Sequence, residues 1–185
     1  MPYTRHPEMA NRHDSVLLVV DIQERLVPHI AEHQALVDNT SRLITAADAL
    51  QVACVATEQY PNGLGPTIDA LRDKLTTRHE KVTFSAATVE PMIEAWRNEG
   101  RSKIVVVGME SHVCVLQTVL DLLAEGFSVF VVVDAVSSRS LSNKQVALNR
   151  MEASGATLVT TEMILFEWLE VAGTPEFKAI QKLIK

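Results

Sequence analysis

Cysteine is scarce in this chain: 185 residues carry two, Cys54 and Cys114. They fall in different kinds of element, which argues against a disulfide framework and suits a reducing compartment, so a cytoplasmic protein is expected. Positive charge is also in short supply. Seventeen Lys and Arg against twenty-three Asp and Glu leave a net charge of −6. The basic residues are scattered rather than gathered into a stripe, so nucleic acid is not expected as a partner. The polar stretch Met1–Asp14 carries Arg5, His6, Arg12 and His13 and lacks the apolar centre of a signal peptide or membrane span, so no membrane partner is expected either. Repeats and linkers are absent. One domain is therefore expected over 1–185, with 1–14 as an N-terminal extension. A chain of this length buries roughly 70% of its unfolded surface without metal or disulfide staples.

What is present is an alternation of short apolar runs with longer segments of helical periodicity. Strands are predicted at Ser15–Val20, Val52–Thr57, Lys81–Thr83, Ile104–Val107, Ser128–Val133 and Thr157–Thr160. Helices are predicted at Ala31–Leu50, Val89–Asn98, Val113–Glu125, Asn143–Ser154, Glu162–Val171 and Pro175–Leu183. This is the pattern of an α/β fold with a doubly wound, mostly parallel sheet between two helical layers. The C-terminal helices, with Trp168, Leu169, Phe177, Ile180, Leu183 and Ile184, carry apolar surface that must cap the sheet or meet another subunit.

Open parallel sheets bind ligands beyond the carboxyl ends of their strands. There the chain places Asp21 after strand one, Glu58 and Tyr60 after strand two, Lys81 and Phe84 around strand three, Cys114 after strand four and Asp134 after strand five. Cys114 follows the run Ile104-Val105-Val106-Val107-Gly108 and enters a helical stretch. With Ser111 as N-cap, the thiol would sit near unpaired N–H groups and the positive end of the helix dipole, which favour thiolate. Its pKa is expected below the ordinary thiol value of about 8.5. A buried Cys is more often simply packed, and Cys54, mid-strand in Val52-Ala53-Cys54-Val55-Ala56, is read that way. Asp21 could take the thiol proton and hand it to a leaving group, or merely cap the next turn. Lys81 alone reads as a solvated charge, but beside the other two it becomes a charge partner for both.

Three segments, Val20-Asp21-Ile22-Gln23, Glu80-Lys81-Val82-Thr83-Phe84-Ser85 and Gly108-Met109-Glu110-Ser111-His112-Val113-Cys114-Val115, resemble in order and spacing the catalytic motifs of the isochorismatase-like cysteine hydrolases. The similarity runs from about Ser15 to Lys185. Thr57-Glu58-Gln59-Tyr60-Pro61-Asn62-Gly63-Leu64-Gly65, Asp134-Ala135-Val136-Ser137-Ser138-Arg139-Ser140 and the ending Phe177–Lys185 narrow it to the isochorismatase domain-containing protein subgroup. The resemblance implies a Rossmann-like three-layer α/β/α fold and a triad of Cys114 as nucleophile, Asp21 as general base and acid, and Lys81 holding both in charged form. It implies a cis peptide at Met109–Glu110 and an oxyanion hole from the backbone N–H groups of Glu110 and Cys114. It also implies a homo-oligomer, since the family commonly assembles.

Two departures shape the expected chemistry. Nicotinamidases of this superfamily bind a metal through Asp-x-His and a later His, where this chain reads Glu58-Gln59-Tyr60-Pro61-Asn62, so neither metal nor other cofactor is expected. Isochorismatases proper cleave a vinyl ether without a cysteine nucleophile, whereas this chain has Cys114. The expected reaction is therefore hydrolysis of a small amide or related C–N bond through a covalent acyl-enzyme. Gln23, Glu58, Tyr60 and Phe84 are the candidate substrate-binding residues. His112 reads as a solvated turn residue, and Arg139 as a clamp for a substrate carboxylate or an anchor for its Ser-rich loop. The competing readings are a catalytically weak member acting in protein association, a vinyl-ether hydrolase, and a thiol redox protein, the last disfavoured because no resolving cysteine lies nearby.

Overall fold

Side chains of the central strands point alternately into two separate apolar cores, which is what a sheet covered on both faces requires. The computed structural model describes residues 4–184; Met1 to Tyr3 of the extension and the terminal Lys185 lie outside the described residues. Six strands form the sheet: β1 (Ser15–Val20), β2 (Ala53–Gln59), β3 (Arg78–Lys81), β4 (Lys103–Met109), β5 (Ser128–Ser137) and β6 (Thr157–Val159). Every pairing is parallel and the order is β3-β2-β1-β4-β5-β6. The chain starts in the middle of the sheet, winds to one edge, and returns to build the other.

Leu17, Val19, Val105, Val107, Phe130 and Val132 face a core covered by α1 (His33–Leu50), α7 (Thr161–Leu169) and α8 (Pro175–Gln181). Val16, Leu18, Val20, Ile104, Val106, Val129 and Val131 face the other, covered by α4 (Glu90–Asn98), α5 (Leu116–Ala124) and α6 (Leu141–Ala153). Two single-turn helices, α2 (Pro61–Leu64) and α3 (Asp69–Arg72), occupy a stretch where the sequence predicted only loop. The C-terminal helices cap the sheet: Trp168, Leu169 and Ile180 are buried in the first core. The extension packs as well, with Ala10 buried and its N–H donating to Glu167 Oε2 at 2.6 Å.

Several predicted strand limits shift: β2 runs two residues further, to Gln59, and β4 two further, to Met109, and the changes at β3 and β5 are larger. β3 lies at Arg78–Lys81, ending where the sequence began it, because its partners are Ala56 to Gln59. β5 runs past Val133 to Ser137, and its register against β4 slips between Val106 and Gly108. Asp134 therefore lies inside β5 rather than at a strand end, and its Oδ1 accepts from Thr161 N at 2.8 Å and Thr161 Oγ1 at 3.0 Å, fastening the start of α7. It takes no place in the candidate site.

Candidate active site

Asp21 is the first residue beyond β1 and has φ 52°, a left-handed turn that ends the strand. β4 makes room for this turn through Gly108: a Cβ there would stand 2.0 Å from the carbonyl oxygen of Val20. The glycine thus lets two backbones meet beside the carboxylate. β3 delivers Lys81 from the sheet edge, across β2, to the same point. Lys81 Nζ donates to Asp21 Oδ2 at 2.7 Å, and the side chains are 2% and 0% exposed. Such a pair tolerates burial only when its other hydrogen-bonding positions are filled. They are: Nζ also donates to Gln59 Oε1 at 2.7 Å, Phe84 O at 3.0 Å and Thr83 O at 3.3 Å. Thr57 Oγ1 donates to Asp21 Oδ1 at 2.7 Å.

Cys114 arrives from β4 through a single π-helical turn, Ser111–Val115, which runs into α5. The Met109–Glu110 peptide before it is cis. Ser111 is not the N-cap. Glu110 takes that position, its carbonyl accepting from Val113 N at 3.0 Å and Val115 N at 3.2 Å, and the buried Ser111 Oγ has no partner among the described residues. The buried thiol lies close enough to the Asp21 carboxylate to feel its charge. Burial, and then the negative charge of Asp21, push Cys114 up to about 12; Lys81 opposes this and does not prevail. The shift runs opposite to the lowered pKa expected from the sequence, since desolvation and an adjacent carboxylate outweigh the lysine. Cys54, packed against the other face of the sheet, is likewise pushed up to about 12 by burial.

The residues named for substrate contact fall in three places. Gln23 is buried with its amide spent inside the protein: Nε2 donates to Gln59 O at 3.0 Å and Gly65 O at 2.6 Å, and Oε1 accepts from Gln59 N at 2.8 Å. Glu58 points away from the Asp21 side of β2, and its Oε1 accepts from Thr67 N and Thr67 Oγ1, both at 2.7 Å. Both residues brace the loop after β2. Tyr60 is exposed and walls a cleft of about 650 Å³ with Pro61, Lys81, Val82, Thr83 and Val89. Phe84 is exposed at the strand-three loop and contributes its carbonyl to Lys81.

Sequence reasoning passed over Thr57 and Gln59, which hold Asp21 and Lys81. The signal was the period of two: in a strand, positions 57 and 59 share the face that 58 does not. His112 is half-buried rather than solvated, with Nδ1 3.0 Å from Ser138 Oγ. Arg139 binds Glu110. Among the described residues no three His, Cys, Asp or Glu side chains gather as metal donors.

Residues 15–163 match the isochorismatase domain. The chain belongs to the isochorismatase family. Isochorismatase domain-containing protein 2A of Mus musculus is 42% identical over 176 residues, covering 92% of this chain and 82% of that protein. A secreted isochorismatase effector, Isc1, of Phytophthora sojae is 38% identical, covering 94% of this chain and 85% of its own length. The solved structure of the MAR1 ribonuclease of Caenorhabditis elegans is 39% identical with TM-score 0.88, covering 95% of this chain and 92% of that one. Isochorismatase-like hydrolases thus share both its sequence and its sheet.

Proposed function

We propose that this family member is a cofactor-free cysteine hydrolase that cleaves a small amide or related C–N bond through a Cys114 acyl-enzyme. The observation that carries this reading is the buried chain Cys114 thiol, Asp21 carboxylate, Lys81 ammonium. A neutral thiol beside a carboxylate is the resting form of a nucleophile with its base at hand. As sulfur attacks the substrate carbonyl, its proton passes to Asp21, and the negative charge moves onto the substrate oxygen. The N–H groups of Glu110 and Cys114 receive that oxyanion. Asp21 then protonates the leaving nitrogen as the C–N bond breaks. A water enters, Asp21 takes its proton, and hydroxide displaces sulfur, releasing the acid and returning the proton to the thiol. Lys81 stabilises Asp21 whenever it is ionised.

The cleft walled by Tyr60 and Val82 touches the triad only through Lys81, and Cys114 does not line it, so it serves this reading as the approach for a small substrate rather than as the reaction site. The C-terminal part leaves Met163, Phe166 and Val171 exposed, an apolar surface that a second copy would cover, which supports a homo-oligomer. Two unpaired thiols favour a reducing, cytoplasmic setting. Among the described residues no helix is long and apolar enough to cross a membrane. The ribonuclease name belongs to the nematode protein; here a net charge of −6 argues against a polyanionic substrate. The test is a turnover screen across small amides, ureides and vinyl ethers, with mass spectrometry of the Cys114 peptide for the acyl adduct. Turnover that survives Cys114→Ala unchanged rejects the acyl-enzyme.

A further inference from the structure

Glu110 joins the cis peptide to the turn that carries Cys114, and its carboxylate is buried, with 6% of the side chain exposed. A second element reaches across to hold it. Arg139, from the segment between β5 and α6, donates its backbone N–H to Glu110 Oε2 at 2.9 Å. Its Nε donates to Oε2 at 3.0 Å and Oε1 at 3.1 Å, and Nη2 to Oε1 at 2.5 Å. The residues just before Arg139 are tied to Ala31: Ser137 Oγ donates to Ala31 O at 2.7 Å, and Ala31 N to Ser138 O at 3.1 Å. His112 completes the group against Ser138. Arg139 thus grips Glu110 through the Nε/Nη2 edge of its guanidinium, while the side chain is 65% exposed.

We propose that Arg139 is a positioning residue of the thiol site: by clamping Glu110 it fixes the turn that presents Cys114 and the Glu110 N–H, and neutralises a buried negative charge beside the sulfur. This deepens the hydrolase reading and rests on its assignment of Cys114. The charged groups that bear on the sulfur are Asp21 from the end of β1, Lys81 from the end of β3 and Glu110 from its own turn; Arg139 and His112 act on Glu110. Asp21 and Glu110 raise the thiol and Lys81 lowers it, while Arg139, first through its side-chain hydrogen bonds, lowers Glu110. Losing Arg139 leaves Glu110 as an uncompensated negative charge near the thiol. Losing Glu110 removes that charge altogether.

Alkylation of Cys114 by iodoacetamide across an alkaline pH series reads this without any substrate, and Cys54 on the opposite face of the sheet serves as the internal reference. Arg139→Gln should slow Cys114 labelling relative to Cys54 by about threefold to tenfold, half to one pKa unit. Glu110→Gln should accelerate it by a similar factor, and the double variant should recover at least the parent rate. On any substrate found by the screen, Arg139→Gln should lower kcat about tenfold with little change in KM, and Arg139→Lys should recover only part of it. An unchanged labelling ratio in Arg139→Gln overturns the proposal. So does equal acceleration in all three variants, which would mean that the contact only closes the fold. If Arg139→Gln does not fold, Glu110→Gln decides by its sign. Titration shifts as expected with no turnover reject the hydrolase reading alone; turnover with unshifted titration rejects this one.

Discussion

Lys81→Met isolates what the buried pair contributes. The substitution keeps the length and the apolar stem of the side chain and deletes an ammonium that four oxygens accept from, two of them backbone carbonyls. At the 2.7 Å separation of Nζ and Oδ2, an effective dielectric near 20 puts the attraction at about 6 kcal/mol. Desolvation of both ions offsets much of this, and breaking such a pair from one side costs about 3–5 kcal/mol because the remaining charge stays buried. For a chain of this size that lowers Tm by about 6–20 °C. Asp21→Asn/Lys81→Met removes both charges and keeps the Thr57 hydrogen bond, so it should be more stable than Lys81→Met by at least about 1.5 kcal/mol. Urea titration of the two single variants and the double measures the coupling directly. If the double is as unstable as the sum of the singles, Asp21 and Lys81 do not act as a pair and the account of the site fails.

Gly108→Ala should destabilise the fold by about 3–5 kcal/mol, from a backbone region closed to side chains and from overpacking against Val20; a Tm within 2 °C of the parent would contradict the close approach of β4 to β1. Asp21→Asn should accelerate alkylation of Cys114 while abolishing turnover, because the carboxylate raises the thiol yet is its base; slower labelling would show that Asp21 does not bear on the sulfur. Both thiols titrate near 12 when folded and near 8.5 when unfolded. Their contribution to stability is therefore full below about pH 8.5 and is lost as pH rises towards 12. Cys54→Ala should flatten the alkaline fall in Tm, and an identical pH profile would reject this. Glu110, held low by Arg139, stabilises the fold at neutral pH and loses that contribution as pH falls below the ordinary carboxylate range. The acid limb of stability should be shallower in Glu110→Gln.

Much of the architecture was legible because its causes are local. Runs such as Val16-Leu17-Leu18-Val19-Val20 and Ile104-Val105-Val106-Val107 are apolar at both parities, which a strand buried on two faces demands. Strand ends meeting on one rim placed Asp21, Lys81 and Cys114 among several candidates, and the resemblance to the isochorismatase-like motifs singled out those three. The segments 61–64 and 69–72 were missed because single helical turns hold too few residues to show a period. β5 was cut short because its register slip makes the pattern irregular after Val133.

Other properties depend on distances between residues far apart in the chain, and only the tertiary structure decides those. Thr57 rather than Glu58 reaches Asp21 because the pleat assigns odd and even positions of β2 to opposite faces, a parity that the ends of the strand alone leave open. Arg139 meets Glu110, twenty-nine residues away, because the end of β5 and the π-helical turn converge there. The thiol is the clearest case. Its motif and helix start argue for ionisation, but the sign is set by how completely water is removed and by a carboxylate ninety-three residues upstream. Sequence by itself determined which groups could react; packing determined that the thiol is pushed up rather than down.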